Sequence, residues 1–216
     1  MTISEILLPV LKGDPESLSS LTSQGTQISS QLTSTPGLQF FAHGKILFDN
    51  GTPVPVDSGR TVLLLEWDAL SSLHAFYPHS AAFQAFIGLV KPFLAQGAIP
   101  IPFEAVTSAR ATASAAITQI IQVRHGPETE GSWARLQGVL ASEANAALAI
   151  GQPVFAHAVG VEDQEGTFLG VIGWQGLEDY ERARTDENIS SILNELGAGG
   201  DVLNLVVQRL EEIRVQ

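Results

Sequence analysis

Apolar and polar positions along this chain follow two periodicities, and these alternate in the same order twice. Residues 3–11 are rich in leucine and β-branched side chains and predict a strand. Gly13-Asp14-Pro15 then predicts a helix start, with Asp14 as N-cap and Pro15 at the first helical position. Leu18, Leu21, Ile28 and Leu32 continue at helical spacing until Thr35-Pro36-Gly37 stops them. Leu38 to Leu47 and Arg60 to Trp67 read as two strands around the turn Asp49-Asn50-Gly51-Thr52-Pro53. A second helical region runs from Ala69 to Gln96 with a break near Pro78, and Ile99 to Val106 reads as a closing strand.

The second half repeats this order. Ile117 to Arg124 is a strand; Trp133, Leu136, Leu140, Ala144 and Ala147 keep helical spacing until Gly151-Gln152-Pro153; Val154 to Val161 and Gly166 to Trp174 are strands. Leu177 to Leu196 is then helical and Asp201 to Leu210 closes the set. The residues themselves support a repeat. Ile3-Ser4-Glu5-Ile6-Leu7-Leu8-Pro9-Val10 lies over Ile117-Thr118-Gln119-Ile120-Ile121-Gln122-Val123-Arg124 at an offset of 114, and Phe41-Ala42-His43-Gly44 over Phe155-Ala156-His157-Ala158 at the same offset. Trp67-Asp68-Ala69-Leu70 meets Trp174-Gln175-Gly176-Leu177 at an offset of 107, because the second hairpin is shorter.

The order β-α-β-β-α-β, twice, predicts an α+β protein of two ferredoxin-like repeats. Residues 1–106 form the first and 116–216 the second, with the small-residue segment 107–115 as linker. A sheet of this plan covers one face with helices and leaves the other open. Two repeats in one chain cover each other's open faces and form an intramolecular α/β barrel, which predicts a monomeric pseudo-dimer or a homodimer of such chains.

Composition narrows the classes. Of 216 residues, 44% are apolar and only 16% charged, so the chain buries a large core. The formal charge of −12 repels phosphate backbones and anionic lipid, which argues against nucleic acid and membrane as partners. The absence of cysteine removes disulfides and thiolate chemistry and fits an intracellular protein. Met1-Thr2-Ile3-Ser4-Glu5 lacks a basic n-region, and no apolar run approaches the roughly 18 residues of a spanning helix, so a cytoplasmic location is expected.

The segment Leu64-Leu65-Glu66-Trp67-Asp68-Ala69-Leu70-Ser71-Ser72-Leu73-His74-Ala75-Phe76, followed by Ser80-Ala81-Ala82-Phe83-Gln84-Ala85-Phe86, carries a family pattern. It resembles the strand, tryptophan and following helix of the antibiotic-biosynthesis-monooxygenase-like branch of the dimeric α/β barrels. The second half keeps Trp174, Leu177 and Tyr180 but has Glu181 in place of His74. The resemblance extends over nearly the whole chain at the level of plan. It implies a place among cofactor-free monooxygenases of secondary metabolism that act on polyketide quinols, cyclases, haem enzymes such as chlorite dismutases, and stress-related barrels.

Candidate chemistry centres on histidine. His43 and His157 occupy matched strand positions; small Ala42 and Ala156 suit the face crowded by helices, so both imidazoles are expected to face the space between the sheets, where they can act as general bases. A structural role for both is the competing reading. His74 is the third catalytic candidate, while His79 reads as exposed. Trp67, Phe41, Phe155 and Trp174 are expected to line a substrate site or the core, Arg124 beside His125 to bind an anion of the substrate, and Glu66 to join that site by pairing with a histidine or serving as acid/base, solvation being the competing reading. No metal-ligand spacing, phosphate loop or nucleophile elbow is present, so no metal and no cofactor are expected. The leading expectation is a cofactor-independent monooxygenase or cyclase/isomerase that binds an apolar aromatic or polyketide-like molecule in the barrel interior. The alternatives are a non-catalytic, stress-response-type binding barrel and a haem-binding barrel. An open interior favours the enzyme and a filled one the binding module.

Overall fold

The computed structural model describes residues 1–142, 151–198, 200, 202–213 and 215. In the first repeat the elements are β1 (Ile3–Leu7), β2 (Val10–Leu11), α1 (Pro15–Thr33), β3 (Leu38–Asp49), β4 (Thr52–Pro53), β5 (Thr61–Trp67), α2 (Leu70–Phe76), α3 (Ala81–Val90), β6 (Leu94–Gln96) and β7 (Ile101–Ala105). After α4 (Arg110–Ala113), the second repeat contains β8 (Ile117–Arg124), α5 (Thr129–Ala141), β9 (Val154–Gly160) and β10 (Thr167–Trp174). It ends with α6 (Leu177–Thr185), α7 (Glu187–Gly197), β11 (Leu203–Gln208) and β12 (Glu211–Ile213). Ala144 and Ala147, the last of the expected apolar helix positions, lie outside the described residues.

Local chemistry sets the main boundaries. Asp14 caps α1 by accepting from the Ser17 N–H at 2.8 Å, and Pro15 opens the helix. The Ala69–Gln96 region divides into α2, α3 and β6, with Ser80 capping α3 through the Phe83 N–H. The region expected as one helix over Leu177–Leu196 divides at Asp186, whose carboxylate accepts from the N–H groups of Asn188 and Ile189. The strand expected over 3–11 divides into β1 and β2, and Val10–Leu11 pairs instead with β6 in a separate ladder.

Within the first repeat the strands are ordered β3-β5-β1-β7, and within the second β11-β8-β10-β9, each the ferredoxin-like arrangement. The sheets join edge to edge. β7 pairs with β9 at Phe103↔Gly160, and β11 pairs with β3 at Val207↔Ile46, so the eight strands close into a barrel. The seams are equivalent: Gly160 and Ile46 are related by the 114-residue offset. After β11 the chain turns and β12 pairs with the other end of β3, at His43 and Phe41.

The interior is filled. Ile6, Phe40, Leu64, Phe103, Ile120 and Leu205, all 0–1% exposed, belong to a single cluster drawing on strands of both repeats. An eight-stranded barrel has room inside for little beyond its own side chains. Phe40, Phe103 and the aliphatic side chains take up that room, the small residues Ala42, Ala156 and Ala158 complete the cluster, and Phe41 and Trp67 pack on the helix side. The linker also helps to fill the barrel, since Ala109 and Ala113 of the α4 segment join the interior cluster.

The linker is fixed from both repeats. Glu66, 4% exposed, accepts from the Ala109 N–H at 2.7 Å and the Ser108 hydroxyl at 2.8 Å. At the matching position of the second repeat stands Gly173, where a Cβ would lie 2.8 Å from the Ala115 Cβ and 3.0 Å from the Thr112 carbonyl oxygen. One repeat thus supplies a carboxylate to hold the linker and the other the absence of a side chain to admit it.

Glu66→Ala leaves the buried Ala109 N–H unpaired and is expected to cost about 1–3 kcal/mol. Chemical denaturation followed by circular dichroism, with limited proteolysis between residues 107 and 115, measures this. Unchanged stability and protease resistance would show that Glu66 does not anchor the linker.

Candidate functional site

The histidines expected to look into the barrel do not. On β3 and β9 the side chains of Ala42 and Ala156 belong to the interior cluster, so His43 and His157, one position along, point to the outer, helix-covered faces. The physical reason is that Phe40, Phe103 and the aliphatic side chains of both repeats already fill the interior, leaving room for no more than alanine at these positions of β3 and β9. Phe41, Trp67, Phe155 and Trp174 likewise pack on the helix side. Glu66 faces inward but is committed to the linker. The nine candidate residues therefore do not converge on one site.

His74, on the exposed side of α2, pairs with Glu162 of the second repeat at 2.9 Å. Arg124 is exposed at the end of β8, and the adjacent His125 lies 3.5 Å from Glu130. His157 is held by its surroundings. Its ring stacks on Phe168 at 5.8 Å, its N–H donates to the Thr107 hydroxyl at 2.9 Å, and its carbonyl accepts from the N–H groups of Val106 and Thr107. Burial lowers its pKa, and Glu130 partly offsets the effect.

The two helix-covered faces differ more than their shared plan suggests. In the second repeat, Trp133 of α5 lies over Gly170, where a Cβ would stand 2.5 Å from the indole ring. Trp133, Leu136 and Leu140 are 0–2% exposed, and Ile189, Ile192 and Leu196 of α7 complete the layer. Among the described residues the Trp133 Nε1–H has no hydrogen-bond partner, so this indole acts as apolar filling.

In the first repeat the positions matching Trp133, Leu136 and Leu140 are Ser19, Thr22 and Thr26. Over its 19 residues α1 buries only Leu32 and Thr33, and the apolar helix α3 buries none. On the sheet beneath, Leu63 stands at the position of Gly170, and Leu63 and Leu7 remain half-buried. Phe83 and Phe86 face this region from α3, Ile213 flanks Phe41, and His43 sits at its edge. The result is a loosely covered apolar face with partly exposed side chains, where the second repeat has a closed core.

Two titratable groups belong to this face. His43 lies 3.8 Å from Glu211; burial lowers its pKa below 6.5 and the carboxylate partly opposes that. Glu5, 3% exposed, is on the same outer face two strands across and two residues along, about 12 Å by strand geometry. The Trp67 Nε1–H donates to Glu5 Oε2 at 2.6 Å, yet burial pushes the carboxyl up to about 7. Sequence reasoning missed Glu5 although the repeat contained the signal. Gln119 is its match, and the Trp174 Nε1–H donates to that amide oxygen at 3.2 Å. A carboxylate in one repeat against an amide in the other, each beside the matched tryptophan, marks the position.

Among the described residues no cluster of three or more potential metal ligands occurs. No helix among them is long and apolar enough to cross a membrane.

Because burial raises Glu5, stability is greatest while the carboxyl is protonated and falls as pH rises from about 4.5 through 7. Glu5→Gln removes that loss. Its stability should match wild type below pH 4.5 and exceed it by up to about 3 kcal/mol above pH 7. Urea denaturation across this range measures the gap, and a pH-independent gap contradicts the ionisation.

No protein-family profile and no curated protein matches the sequence. Solved structures do. An anthrone oxidase-like protein is 14% identical, with a TM-score of 0.61 over 98% of this chain and 92% of its own. A provisionally assigned monooxygenase from Fusobacterium nucleatum is 9% identical, with a TM-score of 0.58 over 100% and 96%. A chlorite dismutase mutant from Candidatus Nitrospira defluvii is 11% identical, with a TM-score of 0.54 over 96% and 90%. At these identities the likeness is one of fold. With two ferredoxin-like repeats closed into one eight-stranded barrel, the chain is a single-chain version of the dimeric α/β barrel, the fold it shares with these monooxygenase-like and chlorite-dismutase structures.

Proposed function

We propose that the protein is a cofactor-independent enzyme acting on an apolar aromatic or polyketide-like small molecule. The ligand occupies the helix-covered cleft of the first repeat, and His43 is the general base. The observation that carries this reading is the contrast between the two faces: Trp133 fills one, whereas Leu7 and Leu63 of the other stay half-buried beneath an α3 that buries none of its apolar side chains. Half-exposed apolar walls with a few polar groups are the usual composition of a small-molecule site.

The chemistry follows from the polar groups present. A pKa below 6.5 leaves His43 neutral, and therefore basic, at neutral pH. As it takes a proton, Glu211 at 3.8 Å stabilises the imidazolium. A suitable ligand has an acidic C–H or O–H and becomes electron-rich on ionisation. For an anthrone, loss of a ring C–H proton gives an enolate that molecular oxygen can oxidise, so that anthrone and one O2 yield anthraquinone and one water.

A second reading, a barrel that binds without catalysing, is supported by the filled interior. The haem alternative would need an open face, and in the second repeat the helix-covered face is filled by Trp133 over Gly170.

Oxygen uptake and anthraquinone absorbance with anthrone as the probe test the enzymatic reading. Turnover is expected to rise with pH through a value below 6.5. His43→Gln should lower kcat by about 10²–10⁴-fold, while His157→Gln stays within a few-fold of wild type. Anthrone that binds without reacting favours the second reading, and a Soret band in the purified protein favours haem.

A further inference from the structure

The pairing of Glu5 with Trp67 has a counterpart in the second repeat that is completed differently. There the Gln119 amide has both ends satisfied, its oxygen by the Trp174 N–H and its nitrogen by donation to Asn204 Oδ1 at 3.0 Å. The strand β11 that supplies Asn204 corresponds to β7, and the register Val206↔Gln119 matches Pro102↔Glu5. The residue of the first repeat matching Asn204 is therefore Pro100, which has neither a side-chain hydrogen-bonding group nor an N–H. Among the described residues Trp67 is the sole hydrogen-bond partner of Glu5, and it occupies Oε2 alone.

Glu5 also stands at a boundary. Toward one end of the sheet its outer-face neighbours are Ile3 and Trp67, both 0% exposed beneath α2. Toward the other end they are Leu7 and Leu63, the half-buried floor of the cleft. A carboxylate set at the inner end of an apolar cleft with one unpartnered oxygen is costly unless something bonds it.

Resting on the reading that this cleft holds an apolar aromatic ligand, we propose that Glu5 is its specificity-determining residue. Oε1 accepts a hydrogen bond from a phenolic or enolic hydroxyl of the ligand, while Trp67 holds Oε2 and fixes the carboxylate plane. The cleft thereby selects hydroxylated aromatics over plain hydrocarbons of the same size. A hydroxyl left without this acceptor pays its desolvation unrewarded, which is the source of the discrimination.

The test compares 2-naphthol with 2-methylnaphthalene, binding of each being followed by tryptophan fluorescence at pH 8, where Glu5 is ionised. Wild type is expected to bind the naphthol about 10- to 100-fold more tightly. In Glu5→Gln the amide oxygen takes the Trp67 N–H, as in the second repeat, and turns an NH2 donor toward the ligand. The hydroxyl then loses its charged acceptor and can only accept a neutral, weaker hydrogen bond from the amide, so the preference should shrink to within a few-fold, with affinity for the hydrocarbon retained. Because Gln119 already occupies the same geometry, the variant should fold, as its circular dichroism and unfolding midpoint will show. Equal discrimination in wild type and Glu5→Gln would overturn the role of Glu5 and leave the cleft standing. Binding of neither probe to wild type would remove the cleft itself, and the proposal with it.

Discussion

Closure of the barrel is the constraint from which the rest of the structure follows. Joining β7 to β9 and β11 to β3 leaves no open sheet edge at either seam and gives each ferredoxin-like sheet a cover for its bare face. Closure also fixes the interior at a width that aliphatic side chains and the α4 segment fill. Polar chemistry is thereby excluded from the centre. The inward-facing carboxylate of Glu66 is satisfied by the linker, and every other candidate group is displaced to the helix-covered faces or the surface.

Once the interior is committed to packing, the difference between the repeats lies in how tightly the helices cover the outer faces. The helices of the second repeat carry Trp133, Leu136, Leu140, Ile189, Ile192 and Leu196 toward the sheet, and all are buried. Those of the first carry serine and threonine at the matching α1 positions, and their apolar residues stay partly exposed. Shared topology therefore coexists with opposite packing, and the residues that decide the difference are few: Trp133 against Ser19, Gly170 against Leu63, and Gln119 against Glu5.

Much of the architecture could be read from the sequence. The strand and helix order, the Asp14 cap and the three repeat matches all reflect local chemistry that survives in the fold. The direction of the matched histidines could not be read. Period-two alternation places His43 opposite Ala42 but does not say which face is the interior, and small residues fit both a narrow lumen and a crowded helix contact. The width of a closed eight-stranded barrel decides it, and that is a property of the assembled sheet. The division of Leu177–Leu196 at Asp186, the strand β12 and the insertion of the linker are tertiary in the same sense. Glu5 is the opposite case, since its mismatch with Gln119 was visible in the aligned repeats. Its meaning needed the neighbouring strand, where Pro100 stands in place of Asn204 and leaves the carboxylate half-bonded.

Fusion of two repeats explains why such an asymmetry can persist. In a symmetric pair of identical chains, every substitution appears twice, so a buried carboxylate is imposed on both faces and a filling tryptophan closes both. In one chain the faces separate. Burying Trp133 contributes about 4 kcal/mol from its apolar area, the same order as the cost of ionising Glu5 near neutral pH. One repeat can thus stabilise the common barrel, while the other keeps a loosely covered apolar face and a carboxyl that burial pushes up to about 7. The barrel seams make the compensation effective, because the two repeats share one interior cluster and stability gained in either supports both.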